Sequence, residues 1–163
     1  TLFIGIIRSP YEWMSSLYRT QHHIPYENRK NWISFINNEF YSINEGQEKM
    51  EDRNMINKQR YKNIFELRYV KNNFLINDMK DKVNNYILLR YEDFNDRYEL
   101  SMNFIKEKFN LESLHENLVY INNYKGYGTV KYEKKKYYIP ENLLIEIQKK
   151  LNKEQENSLG YVV

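Results

Sequence analysis

"FIGIIRSPYEWMSSLYR", residues 3–19, decides the fold. It opens inside "LFIGII", an unbroken apolar run over residues 2–7. Such a run reads as a strand buried on both faces of a sheet. Arg8 ends it. A helix start follows at once, with Ser9 as the N-cap and Pro10 in the first helical position. Glu12 lies three residues beyond the cap, the spacing of a capping box in which it reaches back to Ser9. Trp13, Met14 and Leu17 form the apolar stripe of that helix.

The theme returns at "NNYILLRYEDF", residues 84–94: a short apolar strand over 86–89, then Arg90 at its end. "RYELSMNFIKEKFNL", residues 97–111, follows as an amphipathic helix carrying Leu100, Phe104, Ile105 and Phe109. Between the two strands, "HHIPYENRKN" is a loop broken by Pro25. "WISFINNEFYSI" reads as a short helix with Trp32, Phe35, Ile36 and Phe40 on one side. Residues 44–58 are polar and read as an exposed loop. "RYKNIFELRYVKNNFLINDMKDKV" is helical in its second half and buries Ile64, Leu67, Val70 and Leu75. After the second strand, "LVYINNYKGYGTVKYEKKKYYI" is mostly loop. "PENLLIEIQKKLNKEQENSLGYVV" is a closing helix that starts at Pro140 and stops near Gly160.

Strands alternating with helices give an α/β class, with a parallel sheet flanked by helices. The chain reads as one domain over residues 1–163, a length that allows a real core. Two strands are few for a complete sheet, and a buried-type strand opens the sequence directly. The expectation is therefore a fragment, the C-terminal portion of a larger domain.

Composition bounds the chemistry. There is no cysteine, which excludes disulfides, thiolate nucleophiles and cysteine-bound zinc. That fits a reducing compartment, and the cytoplasm is the expected location. No apolar run approaches the ~20 residues that span a bilayer, so no membrane segment is expected. The formal net charge is only +3, and nothing demands nucleic acid. The densest basic run, "KYEKKK" at residues 131–136, is a solvated face or an anion-facing patch. The 16 tyrosines combine a buriable ring with a hydrogen-bonding hydroxyl.

In an open α/β sheet, ligands bind beyond the carboxyl ends of the strands. Arg8 stands at such an end, and the helix behind it directs free N–H groups and a positive dipole at the same crevice. Its guanidinium is a fork of donors suited to phosphate. Ser16, eight residues on, offers a hydroxyl two turns into the helix. The alternative for Arg8 is an ion pair with Glu12 or another acid. The cap role accounts for Ser9 completely.

Arg8-Ser9-Pro10, with a serine eight residues after the arginine, resembles the 3′-phosphate-binding motif of sulfotransferases that use 3′-phosphoadenosine 5′-phosphosulfate (PAPS). Ser16 takes the serine position; Ser15 does not. "ILLRYEDFNDRYELSMNFIKEKFNL" resembles that family's strand ending in Arg-Tyr-Glu-Asp, its helix, and a closing Phe-Gly/Asn-Leu. The resemblance puts Tyr91 beside the donor's adenosine; core packing is the other reading. Glu92 and Asp93 look like paired catalytic carboxylates, but chain neighbours point apart, and the resemblance implies structural roles. "NNYKGYG" is similar to the late Lys-Gly element that closes over the 3′-phosphate. Lys125 and Gly126 would be those residues, or an ordinary turn. The closing helix and Gly-Tyr ending are similar to those of bacterial members.

The resemblance implies a P-loop nucleotide-hydrolase-like sulfotransferase fold with PAPS as donor and no metal. It implies a nucleotide donor and a small-molecule or carbohydrate acceptor as partners. It leaves residues 33–84 mostly uncovered. The family's glycine-rich Lys/Arg-Ser-Gly-Thr loop, which grips the 5′-phosphosulfate, has no counterpart here, nor is there a Walker-type Gly-Lys sequence. The chain is thus expected to hold the 3′-phosphate and adenosine part of the site and to be inactive alone. His22 and His23 are the candidates for a base that deprotonates the acceptor, or a polar pair packed on aromatic rings. Two alternatives stand beside this reading: another nucleotide-dependent transferase of kinase-like type, and a non-catalytic interaction module.

Overall fold

The computed structural model describes residues 1–20, 23–113, 115, 117, 119 and 138–163. They form two compact units: Thr1–Arg90 with Tyr137–Val163, and Tyr91–Lys136. The protein is mixed α/β, with a small parallel sheet of two strands.

In the first unit, β1 (Phe3–Ile7) leads to α1 (Pro10–Arg19), and α2 (Tyr26–Arg29) and α3 (Trp32–Asn37) follow. A hairpin of β2 (Ile43–Asn44) and β3 (Gln47–Glu48) precedes a 3-10 turn, Met50–Asp52. Helix α4 (Ile64–Asn73) runs through a π-helical segment, Phe74–Asp78, into α5 (Met79–Lys82) and β4 (Tyr86–Arg90). After residue 137 come α8 (Glu141–Lys150) and α9 (Lys153–Ser158). The second unit holds α6 (Tyr91–Asp96) and α7 (Tyr98–Phe109).

β1 and β4 pair in parallel, with Phe3 opposite Tyr86 and Ile7 opposite Arg90. Both strands therefore end together. Gly5 on β1 leaves room for the Tyr86 ring, because a Cβ there would lie 2.3 Å from the Tyr86 hydroxyl and 2.9 Å from Leu88 unless both shifted.

The main core joins α1, α3, α4 and α8 through Met14, Phe35, Ile36, Ile64 and Ile147, all inaccessible to solvent. Tyr18 stacks on Trp32 with ring centres 4.2 Å apart, and Trp32 meets Phe35 edge-on. Phe40 lies past the end of α3, where it forms an antiparallel bridge with Tyr61. A second cluster, Ile7, Leu159 and Tyr161, seals one face of the sheet.

Several expectations are corrected. β1 is not covered on both faces: Gly5 and Ile7 are buried, but Phe3, Ile4 and Ile6 are exposed. Leu159 and Tyr161 of the C-terminal segment pack with Ile7, on the face of β1 opposite that of Ile4 and Ile6. Residues 44–58 are not simply an exposed loop. Glu45 and Gly46 turn the β2–β3 hairpin with positive φ at both, as a tight hairpin turn of primed type requires. Asn54 is buried there. The closing helix is two helices, because Leu151 is extended and Asn152 caps α9 by accepting from the Gln155 amide at 2.9 Å. On α7 only Ile105 is buried, while Leu100 and Phe104 face solvent. Leu75 is partly rather than fully buried.

Candidate functional site

The carboxyl end of the β1–β4 pair carries two arginines. Arg8 follows Ile7 on β1, and Arg90 closes β4. Each is held from two directions.

Arg8 turns its guanidinium to Glu12: Nε donates at 3.0 Å and Nη2 at 2.9 Å, both to Oε2. The pair is partly buried. The Ser9 hydroxyl accepts from the Glu12 amide at 3.3 Å and caps α1. The expected capping box is thus half made, since the Glu12 carboxylate goes to Arg8 instead of back to Ser9. In the pair with Arg8 both partners are ionised, whereas a bond to the Ser9 amide would have only the carboxylate charged. Glu12 and Ser16 stand four residues apart on α1 and share a helix face. Arg8, Glu12 and Ser16 therefore follow one another along a single side of α1. Ser16 is half-buried, and its carbonyl accepts from the Thr20 hydroxyl at 2.8 Å. Ser15, about 100° round the helix from Ser16, is buried, and its hydroxyl accepts from the Tyr138 amide at 2.9 Å.

Arg90 donates through Nη1 to the Gly160 carbonyl at 3.0 Å and lies over the Tyr161 ring, 4.8 Å from its centre. Gly160 has φ +78°, and a Cβ there would meet Arg90 Nη1 at 2.6 Å. The positive φ calls for glycine, and any side chain there would also have to displace the tip of Arg90.

The sequence reading missed Arg68 and Glu156. Arg68 is buried on α4 and donates to both carboxylate oxygens of Glu156 on α9, at 2.5 and 2.7 Å. Its Nη2 also donates to the Arg8 carbonyl at 3.0 Å. The available signal was an arginine four residues after Ile64, on the apolar stripe of α4.

Tyr91, half-buried, opens α6 of the second unit, with Glu92 and Asp93 in the first turn where carboxylates suit the helix dipole. His23 is exposed. His22, Lys125 and Gly126 lie outside the described residues, as does the basic run at 131–136. Among the described residues, no three His, Asp or Glu side chains come together as metal ligands. Nor, among them, is any helix long and apolar enough to cross a membrane.

A cleft of about 540 Å³ lies elsewhere, between the start of α4 and the α8–α9 junction. Asn63 and Asn152 line it, but both are occupied as helix caps.

No family model matches the chain, and no curated protein or solved structure is significantly similar to it.

Proposed function

We propose that the chain is the donor-binding part of a PAPS-dependent sulfotransferase-like domain of P-loop nucleotide-hydrolase type. The domain would transfer a sulfuryl group to a hydroxyl or amine of a carbohydrate or small metabolite. One observation carries the reading: Arg8 ends a parallel strand and is followed by a serine-capped helix whose same side presents Ser16.

A 3′-phosphate there would meet a fork of cationic donors, a hydroxyl and the positive end of a ten-residue helix. Tyr91, Lys125 and Gly126 join the donor site in this reading by resemblance alone. In transfer, the acceptor oxygen or nitrogen attacks the donor sulfur. The bond from sulfur to the leaving phosphate oxygen breaks, adenosine 3′,5′-bisphosphate departs, and the acceptor proton passes to a base. His22 and His23 are the candidates for that base in this chain. The sequence contains no Lys/Arg-Ser-Gly-Thr loop, so the reading assigns this chain donor binding and no turnover by itself.

A second reading, a non-catalytic interaction module, draws on the Arg8–Glu12 pair and the exposed apolar residues of β1. Calorimetric titration separates the two. Adenosine 3′,5′-bisphosphate should bind more tightly than 5′-AMP, and Arg8→Ala should abolish the preference, a loss of about 1.5–3 kcal/mol. Equal affinities for both nucleotides, or a preference that survives Arg8→Ala, would refute the donor site and favour the module.

A further inference from the structure

We infer that Arg68 is a positioning residue: clamped by Glu156, it fixes the backbone at Arg8 and thereby aims the phosphate grip at the end of β1. The inference rests on the donor-site reading above.

The Arg68 side chain is 4% exposed and that of Glu156 is 2%. Two parallel N–H···O bonds join them. Desolvating such a pair is expensive, and apolar replacements of similar volume are often neutral or stabilising. Stability alone therefore explains the pair poorly. What a bidentate pair does supply is direction, because both bonds fix the plane of the guanidinium. With that plane fixed, Nη2 points at one further acceptor, the Arg8 carbonyl, 3.0 Å away. The guanidinium carbon also lies 5.4 Å from the centre of the Trp13 ring, in the first turns of α1. One cation thus touches the residue before the cap and the helix behind it. The exit of β1 and the entry of α1 are set together, and with them the origin of the Arg8 side chain. Lysine cannot substitute, since an ammonium has no planar fork to hold both the carboxylate and the carbonyl.

The test is the ratio of affinities for adenosine 3′,5′-bisphosphate and 5′-AMP, measured calorimetrically on the full chain. Arg68→Lys and the double variant Arg68→Met with Glu156→Met are compared with the parent and with Arg8→Ala. The double variant leaves no buried unpaired charge, so it keeps a folded comparison available. In folded variants the bisphosphate preference should fall about fivefold or more, with 5′-AMP affinity unchanged. A merely structural role would lower the folded fraction and weaken both nucleotides alike, leaving the ratio at the parent value. That outcome overturns the positioning role, as does failure of both Arg68 variants to fold, which would make the pair a folding requirement. Absence of any preference in the parent, or its survival in Arg8→Ala, overturns the donor-site reading itself and this inference with it. The failure of each is thereby told apart.

Discussion

Ser15 and Ser16 are chemically identical neighbours with opposite surroundings. Ser15 is sealed in the core and satisfies the Tyr138 amide; Ser16 is on the side of α1 that carries Glu12. Ser15→Ala should lower stability by about 1 kcal/mol in denaturant titration, because the Tyr138 N–H loses its part-buried acceptor. It should leave the preference for the bisphosphate unchanged. Ser16→Ala should do the reverse: stability within about 0.5 kcal/mol of the parent, and bisphosphate affinity weaker by about 1 kcal/mol. Burial raises the Tyr86 hydroxyl above its ordinary pKa, and among the described residues that oxygen has no hydrogen-bond partner. It sits where a Gly5 side chain would be. Gly5→Ala should cost about 1–3 kcal/mol, and less in a Tyr86→Phe background, a coupling that a double-mutant cycle reads directly.

Helix α1 shows how far local sequence carries an element. The N-cap at Ser9 and Pro10 in the first turn were legible, because capping needs only neighbours within three residues. Ser9→Ala should cost about 1 kcal/mol of stability and shift both nucleotide affinities no further than that loss requires. The destination of the Glu12 carboxylate was not legible, since it had two acceptable partners and the choice was electrostatic. Both strands, their terminal arginines and the α4 stripe were also readable from periodicity. The β2–β3 hairpin was not, because strands of two residues have no periodicity to read; the positive-φ pair Glu45-Gly46 was the one local mark. The break between α8 and α9 was hidden for a similar reason. Asn152 within a run of helix formers signals a cap only once Leu151 is seen to turn inward. Gly160 was read as a stop signal and serves as a seat for Arg90. Gly160→Ala should destabilise by about 1 kcal/mol from left-handed strain alone, more if Arg90 cannot yield, as thermal denaturation would report.

At the scale of the first unit, stability is tied to pH through Glu48. Hydrogen bonds from Arg60 and Arg53 hold its carboxyl down at about 2, with contacts of 2.7 and 2.8 Å. Arg60 also lies over the Tyr41 ring at 3.9 Å, so the cluster joins the hairpin to the approach to α4. A depressed carboxylate stabilises fully above its unfolded pKa of about 4.3. That contribution is lost as pH falls through its folded value. Unfolding followed between pH 5 and pH 2 should therefore show a falling limb, which Glu48→Gln flattens by about 1 kcal/mol for a partly exposed cluster. None of these long-range ties was legible in the sequence. Arg68 and Glu156 stand 88 residues apart, Arg90 and Gly160 stand 70 apart, and only the folded chain says which of many charges meet.

The two braces share an origin: α9 and the Gly-Tyr segment after it supply Glu156, Gly160 and Tyr161 to both strand ends. That has a consequence for the order of biosynthesis. A ribosome delivers Arg8 and Ser16 well before Arg90, and the bracing residues of α9 and the Gly-Tyr segment follow after all three. Domains form as units, and contacts across long loops come only after the loop is closed. A nascent chain stopped between Arg90 and Glu156 would carry Arg8, Glu12, Ser16 and Arg68 without the carboxylate that orients Arg68. Emergence of α9, rather than synthesis of the motif, is the event that completes the bracing of the strand ends.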